Sequence, residues 1–142
     1  MKHVLLITFL FVMLLSTVKA QTAKIDTSVY TEVEQLPEFP GGAKKLKEYI
    51  SNIIKKASLK DQPSGLVIIT FVIERNGSVT NTHVTKELTA ETDSLAVDIV
   101  KRSPKWKPAQ QNGQTVRCLY SVPVSFGKGN DMPVAVKEIK ER

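Results

Sequence analysis

Gly65-Leu66-Val67-Ile68-Ile69-Thr70-Phe71-Val72-Ile73-Glu74, followed by Arg75-Asn76-Gly77-Ser78, is the stretch on which the fold turns. Val67, Ile69, Phe71 and Ile73 share one side of an extended chain, and Leu66, Ile68 and Val72 share the other. A strand that is apolar on both faces belongs in the middle of a sheet, where both faces are covered. Asn76-Gly77 supplies the left-handed backbone of a hairpin turn, so the chain is expected to return as an antiparallel neighbour. That neighbour is Ser78 to Lys86, a more polar, β-branched run containing Val79, Thr80, Thr82, Val84 and Thr85. Val79 and Val84 have opposite parity, which predicts a bulge or a change of facing between them.

Working outward, Glu91 to Arg102 reads as a helix, with Leu95–Ile99 and Ala96–Val100 as i, i+4 pairs. Pro104 ends it, because a residue before proline resists helical geometry. Pro104-Lys105-Trp106-Lys107-Pro108 is then a stiff extended connector, with Trp106 as a buried hinge at the margin of the core. A last strand follows at 115–126. Its even positions are Val116, Cys118, Tyr120, Val122, Val124 and Phe126; its odd positions are Arg117, Leu119, Ser121, Pro123 and Ser125. Pro123 suits an edge strand, because it has no N–H to give a ladder.

Upstream, Leu46, Tyr49, Ile50, Ile53 and Ile54 form the apolar stripe of a helix over Ala43–Lys56. Its lysine-rich opposite face reads as a solvated surface. Leu36-Pro37-Glu38-Phe39-Pro40-Gly41-Gly42 is too rich in proline and glycine for regular structure, but Leu36 and Phe39 can pin it to a core. The expected fold class is α+β: a three-stranded antiparallel sheet (66–74, 78–86, 115–126) with two helices packed on one face. The first strand is central, which leaves the second and last strands as edges.

The ends are different in kind. Lys2 and His3 precede an apolar run from Val4 to Leu15, and Ser16-Thr17-Val18-Lys19-Ala20 places Val18 and Ala20 as signal peptidase requires. Residues 1–20 therefore read as a signal peptide. The alternative keeps residues 4–18 as a membrane anchor, although this run is shorter than the ~20 residues a spanning helix needs. Residues 21–35 read as a flexible lead-in, 36–126 as the domain, and 127–142 as a polar tail with one helical turn near Val134–Lys140. The formal charge of +6 loses two lysines with residues 1–20, so a mildly basic, solvated surface remains. Cys118 is the one cysteine, so the fold must hold by packing; on the apolar face of its strand it reads as a small inert core residue.

Catalytic chemistry finds no foothold. His83 is the one histidine beyond residues 1–20, and a single His with a single Cys does not make a typical zinc site. No serine is paired with a plausible His and acid. Gly41-Gly42 lacks the preceding strand and further glycines of a phosphate loop. Glu91 and Asp93 favour a helix N-terminus through its dipole. Lys101, Arg102, Lys105 and Lys107 make a basic patch beside Trp106, but a secreted chain does not meet nucleic acid. No enzyme activity, cofactor or metal is expected.

The order of motifs resembles the TonB C-terminal domain family. Val67, Ile69 and Phe71 match its first strand, Gly77 the turn, and Asp93 and Ala96 the helix. Trp106 and Pro108 match the connector, Gly113 the polar loop, and Val122, Pro123, Val124 and Phe126 the final strand. Leu36 to Gly42 resembles an extension ahead of the domain in one branch of the family. The resemblance covers about 90 residues, Leu36–Phe126. Two family features are unmatched: a Tyr-Pro pair, where this chain has Ile54-Lys55-Lys56-Ala57-Ser58, and a long proline-rich linker. The lead-in reaches at most ~50 Å, so an anchored domain would stay close to the inner membrane.

What the resemblance implies is a periplasmic binding domain whose sheet edge pairs with an extended peptide of an envelope protein or a TonB-dependent receptor. The alternative is a membrane-anchored energy transducer. By position, the peptide-binding candidates are Arg117, Leu119, Ser121 and Ser125. Two copies could also pair through their edges as a homodimer. The membrane is a partner only if residues 4–18 are kept.

Overall fold

The computed structural model describes residues 27–59 and 63–127. The signal-peptide, anchor and tail expectations fall outside these residues. In chain order the elements are β1 (Val29–Tyr30), α1 (Gly42–Lys56), β2 (Gly65–Ile73), β3 (Val79–Lys86), α2 (Ala90–Lys101), β4 (Ala109–Gln111) and β5 (Gln114–Phe126). The sheet runs β1-β5-β2-β3, with β4 paired to β5 outside this path.

The α+β class stands, and β2 is central as its two apolar faces require. Its partners are antiparallel: β5 from Gly65↔Phe126 to Ile73↔Cys118 without a shift, and β3 with two shifts. The sheet is larger than three strands. β1 joins β5 in parallel at Val29↔Arg117 and Tyr30↔Cys118, and β4 forms a hairpin on the first residues of β5. Neither addition shows any alternation in the sequence. Two and three residues are too few to carry a period.

Both helices lie on the face formed by Val67, Ile69, Phe71, Ile73, Val122, Val124 and Phe126. Ile50 of α1 and Ala96, Ile99 and Val100 of α2 complete that core, with the rest of the α1 stripe packed against it. The Tyr49 hydroxyl donates to the Ile99 carbonyl at 3.0 Å and so ties the helices together. α2 starts at a reciprocal cap: Thr89 Oγ1 accepts from Thr92 N, and Thr89 N donates to Thr92 Oγ1. Thr92 takes the place Glu or Gln holds in the usual box. Asp93 Oδ1 accepts from Leu88 N at 3.0 Å.

Trp106 is 4 % exposed, as a buried hinge should be. Its ring meets Phe39, Phe71 and Tyr120 at centroid distances of 5.3, 5.7 and 5.4 Å, and its Nε1 donates to Ser103 Oγ. The hairpin turn holds the same residue from behind, because Trp106 N donates to the Gly77 carbonyl at 2.8 Å. Gly77 has φ +80°, and a Cβ there would run into the Trp106 carbonyl oxygen, so glycine is demanded twice.

The proline-rich segment is pinned, but not as expected. Phe39 is buried against Tyr49 and Trp106, and Pro37 is buried, whereas Leu36 is 54 % exposed. Backbone bridges Gln35↔Gln110 and Glu38↔Lys107 do the rest. A second small core of Ala109, Val116 and Cys118 sits under Tyr30 and Val33.

Candidate peptide-pairing edge

Among the described residues, two of the longer strands leave a stretch of one side without a neighbour. β3 pairs with β2 alone. β5 has β2 on one side throughout 118–126, and on the other only β1 at Arg117 and Cys118. Among the described residues, Leu119 to Phe126 is thus an open edge. The expectation that the whole last strand is an edge is corrected here: β4 and β1 cover residues 114–118.

The two edges are shaped differently. β3 shifts register against β2 between Ile68 and Ile69 and between Thr70 and Val72, and Asn81 takes a left-handed backbone with φ +49°. This is the bulge that the parity of Val79 and Val84 requires; it lets both reach the same core. His83 and Lys86 stand exposed on the strand. Bulges and charges of this kind discourage further pairing. β5 holds one unbroken register with β2 from Cys118 to Phe126. A ladder that passes through a proline without a break needs the proline nitrogen on the side away from its partner. Because backbone groups alternate, Leu119, Ser121 and Ser125 then present N–H and C=O to the open side, and Pro123 its C=O alone.

Side chains of the odd positions point to the face away from the helices. Thr70 lies there too, 3 % exposed. It joins three strands by hydroxyls: Thr70 Oγ1 is 2.8 Å from Ser121 Oγ and 3.2 Å from Thr85 Oγ1, and Thr85 Oγ1 donates to the Ile68 carbonyl. Leu119, Ser121, Pro123 and Ser125 are half-buried.

Of the four candidates, Leu119, Ser121 and Ser125 share this open stretch. Arg117 is engaged within the chain. Its Nε and Nη2 donate to Glu74 Oε2 and Oε1 at 2.7 and 2.9 Å, and its Nη1 donates to the Thr27 carbonyl at 2.7 Å. Thr80 Oγ1 donates to Glu74 Oε1 at 2.6 Å. The Arg117 hydrogen bonds hold the Glu74 carboxyl below its ordinary range. Sequence reasoning could not find this pairing, since Glu74 and Arg117 meet only through the β2–β5 register.

Cys118 is 1 % exposed and burial pushes its thiol up, which suits a core residue and disfavours a thiolate. Among the described residues no three His, Cys, Asp or Glu side chains are grouped to hold a metal ion, and no helix is long and apolar enough to cross a membrane.

The family described as Gram-negative bacterial TonB protein C-terminal matches residues 56–127, half of the chain. The match begins at the end of α1, so Leu36–Gly42 and most of that helix lie ahead of it. No curated protein and no solved structure matches the chain. Domains of this family are protein-interaction modules of the cell envelope that meet outer-membrane receptors. The strand–turn–strand, capped helix, tryptophan connector and final strand described above all fall within the matched residues, and the chain belongs to the TonB C-terminal domain family.

Proposed function

We propose that this protein is a non-enzymatic periplasmic binding protein that lends the open edge of β5 to an extended peptide from an envelope protein or an outer-membrane receptor. The observation that carries the reading is the contrast between a bulged, charged β3 edge and a straight β5 edge open from Leu119 to Phe126. Backbone groups of Leu119, Ser121 and Ser125 would supply affinity, and their side chains, with Arg117 at the entrance, would tune choice. The test is a titration of the protein with peptides from the periplasmic ends of envelope receptors, followed by amide NMR. Shifts concentrated in 117–126 are expected. An absence of shifts in 115–126 for every such peptide rejects the proposal. Location has its own check, the first residue of the protein isolated from cells. A start at Gln21 fits a periplasmic protein, and a retained Met1 in the membrane fraction fits an anchored transducer.

A further inference from the structure

β1 lies where an added strand would begin. Val29 and Tyr30 run parallel to Arg117 and Cys118 on the side of β5 opposite β2. A strand continuing that line would pass alongside Leu119 and beyond. The chain instead bends over residues 31–34 and bridges β4 at Gln35↔Gln110. The first rungs of the open edge are therefore filled by the protein's own lead-in, and no described residue fills the remaining rungs.

The ladder that carries that lead-in is short. β1 is two residues long, and Val29 is 39 % exposed. Short, solvent-exposed ladders open at low cost. Among the contacts that hold it are Arg117 Nη1 to the Thr27 carbonyl and half-buried Tyr30 on Ala109, Val116 and Cys118. Arg117 itself does not depend on Thr27. Two bonds to Glu74, which Thr80 also holds, keep the guanidinium in place with Nη1 aimed at whichever strand lies there.

We propose that Thr27–Tyr30 is a tethered competitor for the partner strand: a peptide that pairs along the full edge displaces it, and Arg117 Nη1 passes from the Thr27 carbonyl to a carbonyl of the incoming peptide. This rests on the reading that the β5 edge accepts a strand. A tethered segment is present at an effective concentration of order mM, so it sets an affinity threshold that weak peptides do not cross.

The probe is a fluorescent synthetic peptide with the sequence of residues 24–33, titrated into the mature protein. Three forms are compared: the natural sequence, Val29→Pro with Tyr30→Ala, and Tyr30→Cys. Tyr30 and Cys118 are direct neighbours, and paired strands bring Cα atoms to ~5 Å, within the span of a disulfide. Oxidation should therefore lock the lead-in in place. The double variant should bind the probe at least tenfold more tightly than the natural sequence, with amide shifts at Arg117 and Cys118. Oxidised Tyr30→Cys should bind it at least tenfold more weakly than its reduced form. Equal affinities across all forms, or no binding to the double variant, overturn the inference. If an envelope peptide shifts Leu119–Phe126 equally in all three forms, the edge pairs with strands but the lead-in does not compete, so the inference falls while the proposed function stands. Should the 24–33 peptide behave as expected while no envelope peptide binds any form, the exchange at the edge stands and the receptor reading falls.

Discussion

β3 and the C-terminal part of β5 flank the same central strand, yet the chain treats their outer sides in opposite ways. β3 carries the left-handed Asn81, two register shifts, and exposed His83 and Lys86. β5 from Leu119 onward is regular, and its one conspicuous defect as an edge is the missing donor of Pro123. The lesson is that being unpaired does not make a strand receptive. A receptive edge needs a run of evenly spaced backbone groups, and β3 gives up that spacing to bring Val79 and Val84 to one core.

The largest effect expected is one that does not distinguish the edges. Trp106→Ala should destabilise the whole domain by ~3–5 kcal/mol, the usual cost of removing a large buried aromatic. Three aromatic neighbours lose their packing partner, while the backbone bond from residue 106 to the turn at Gly77 is kept. Denaturant unfolding with tryptophan-independent detection would measure it. A loss below ~1 kcal/mol would mean that the connector is not part of the core.

Leu119→Pro should separate the edges. It removes an open-side N–H, while the ladder to β2 is kept if the backbone alternates as argued from Pro123. Peptide binding should weaken tenfold or more with little change in thermal midpoint, as read by titration and calorimetry. Unfolding of the variant would show that the Leu119 nitrogen faces β2.

Asn81→Val tests the other edge. Forcing a β-branched residue into the left-handed region costs about 1–2 kcal/mol. The bulge should therefore resist straightening, and the variant should lose stability by that amount without gaining peptide affinity. A stable variant with shifts in 79–86 on adding peptide would show that the bulge alone kept β3 closed.

The smallest effect is electrostatic and sits at the entrance to the β5 edge. The carboxyl of Glu74 is lowered first by its hydrogen bonds with Arg117 and further by Thr80, Arg117 and Arg75. A carboxyl lowered in the folded state contributes stability above its unfolded pKa, and that contribution disappears as pH falls through the folded value. Between about pH 6 and pH 3 the natural protein should thus lose slightly more stability than Glu74→Gln. The pair is about a quarter exposed, so solvent screening keeps the difference small. Parallel curves for the two proteins would show that the ion pair adds nothing.

Much of this was legible in residues 65–126. Two-sided burial of β2, the Asn76-Gly77 turn, the bulge in β3 and the place of Trp106 all follow from periods and turn chemistry that act over a few residues. The helix cap on Thr89 was legible only in part, because Thr92 replaces the usual acidic or amide partner. β4 had a local sign, Asn112-Gly113 between the paired Gln111 and Gln114, which by itself reads only as a polar loop. β1 and the Glu74–Arg117 pair were not legible. Their partners lie 43 or more positions away in the pairs that matter most, Glu74–Arg117 and Thr27–Arg117, and no local pattern encodes a register. Leu36 misled for a related reason: hydropathy says that a side chain could be buried, whereas the bridges at Gln35 and Glu38 decide which ones are.

The hydroxyls of Ser121, Thr70 and Thr85 form a row with a sense of direction. Each carries a single hydrogen to give. Thr85 gives its own to the Ile68 carbonyl, so within a fully formed row Thr70 gives to Thr85 and Ser121 gives to Thr70. Ser121 is left with only lone pairs for anything that approaches it from the edge. A visiting side chain that offers a hydrogen, such as an amide, hydroxyl or ammonium group, finds an acceptor at that spot. A carboxylate finds none, and meets electron density on both sides of the gap.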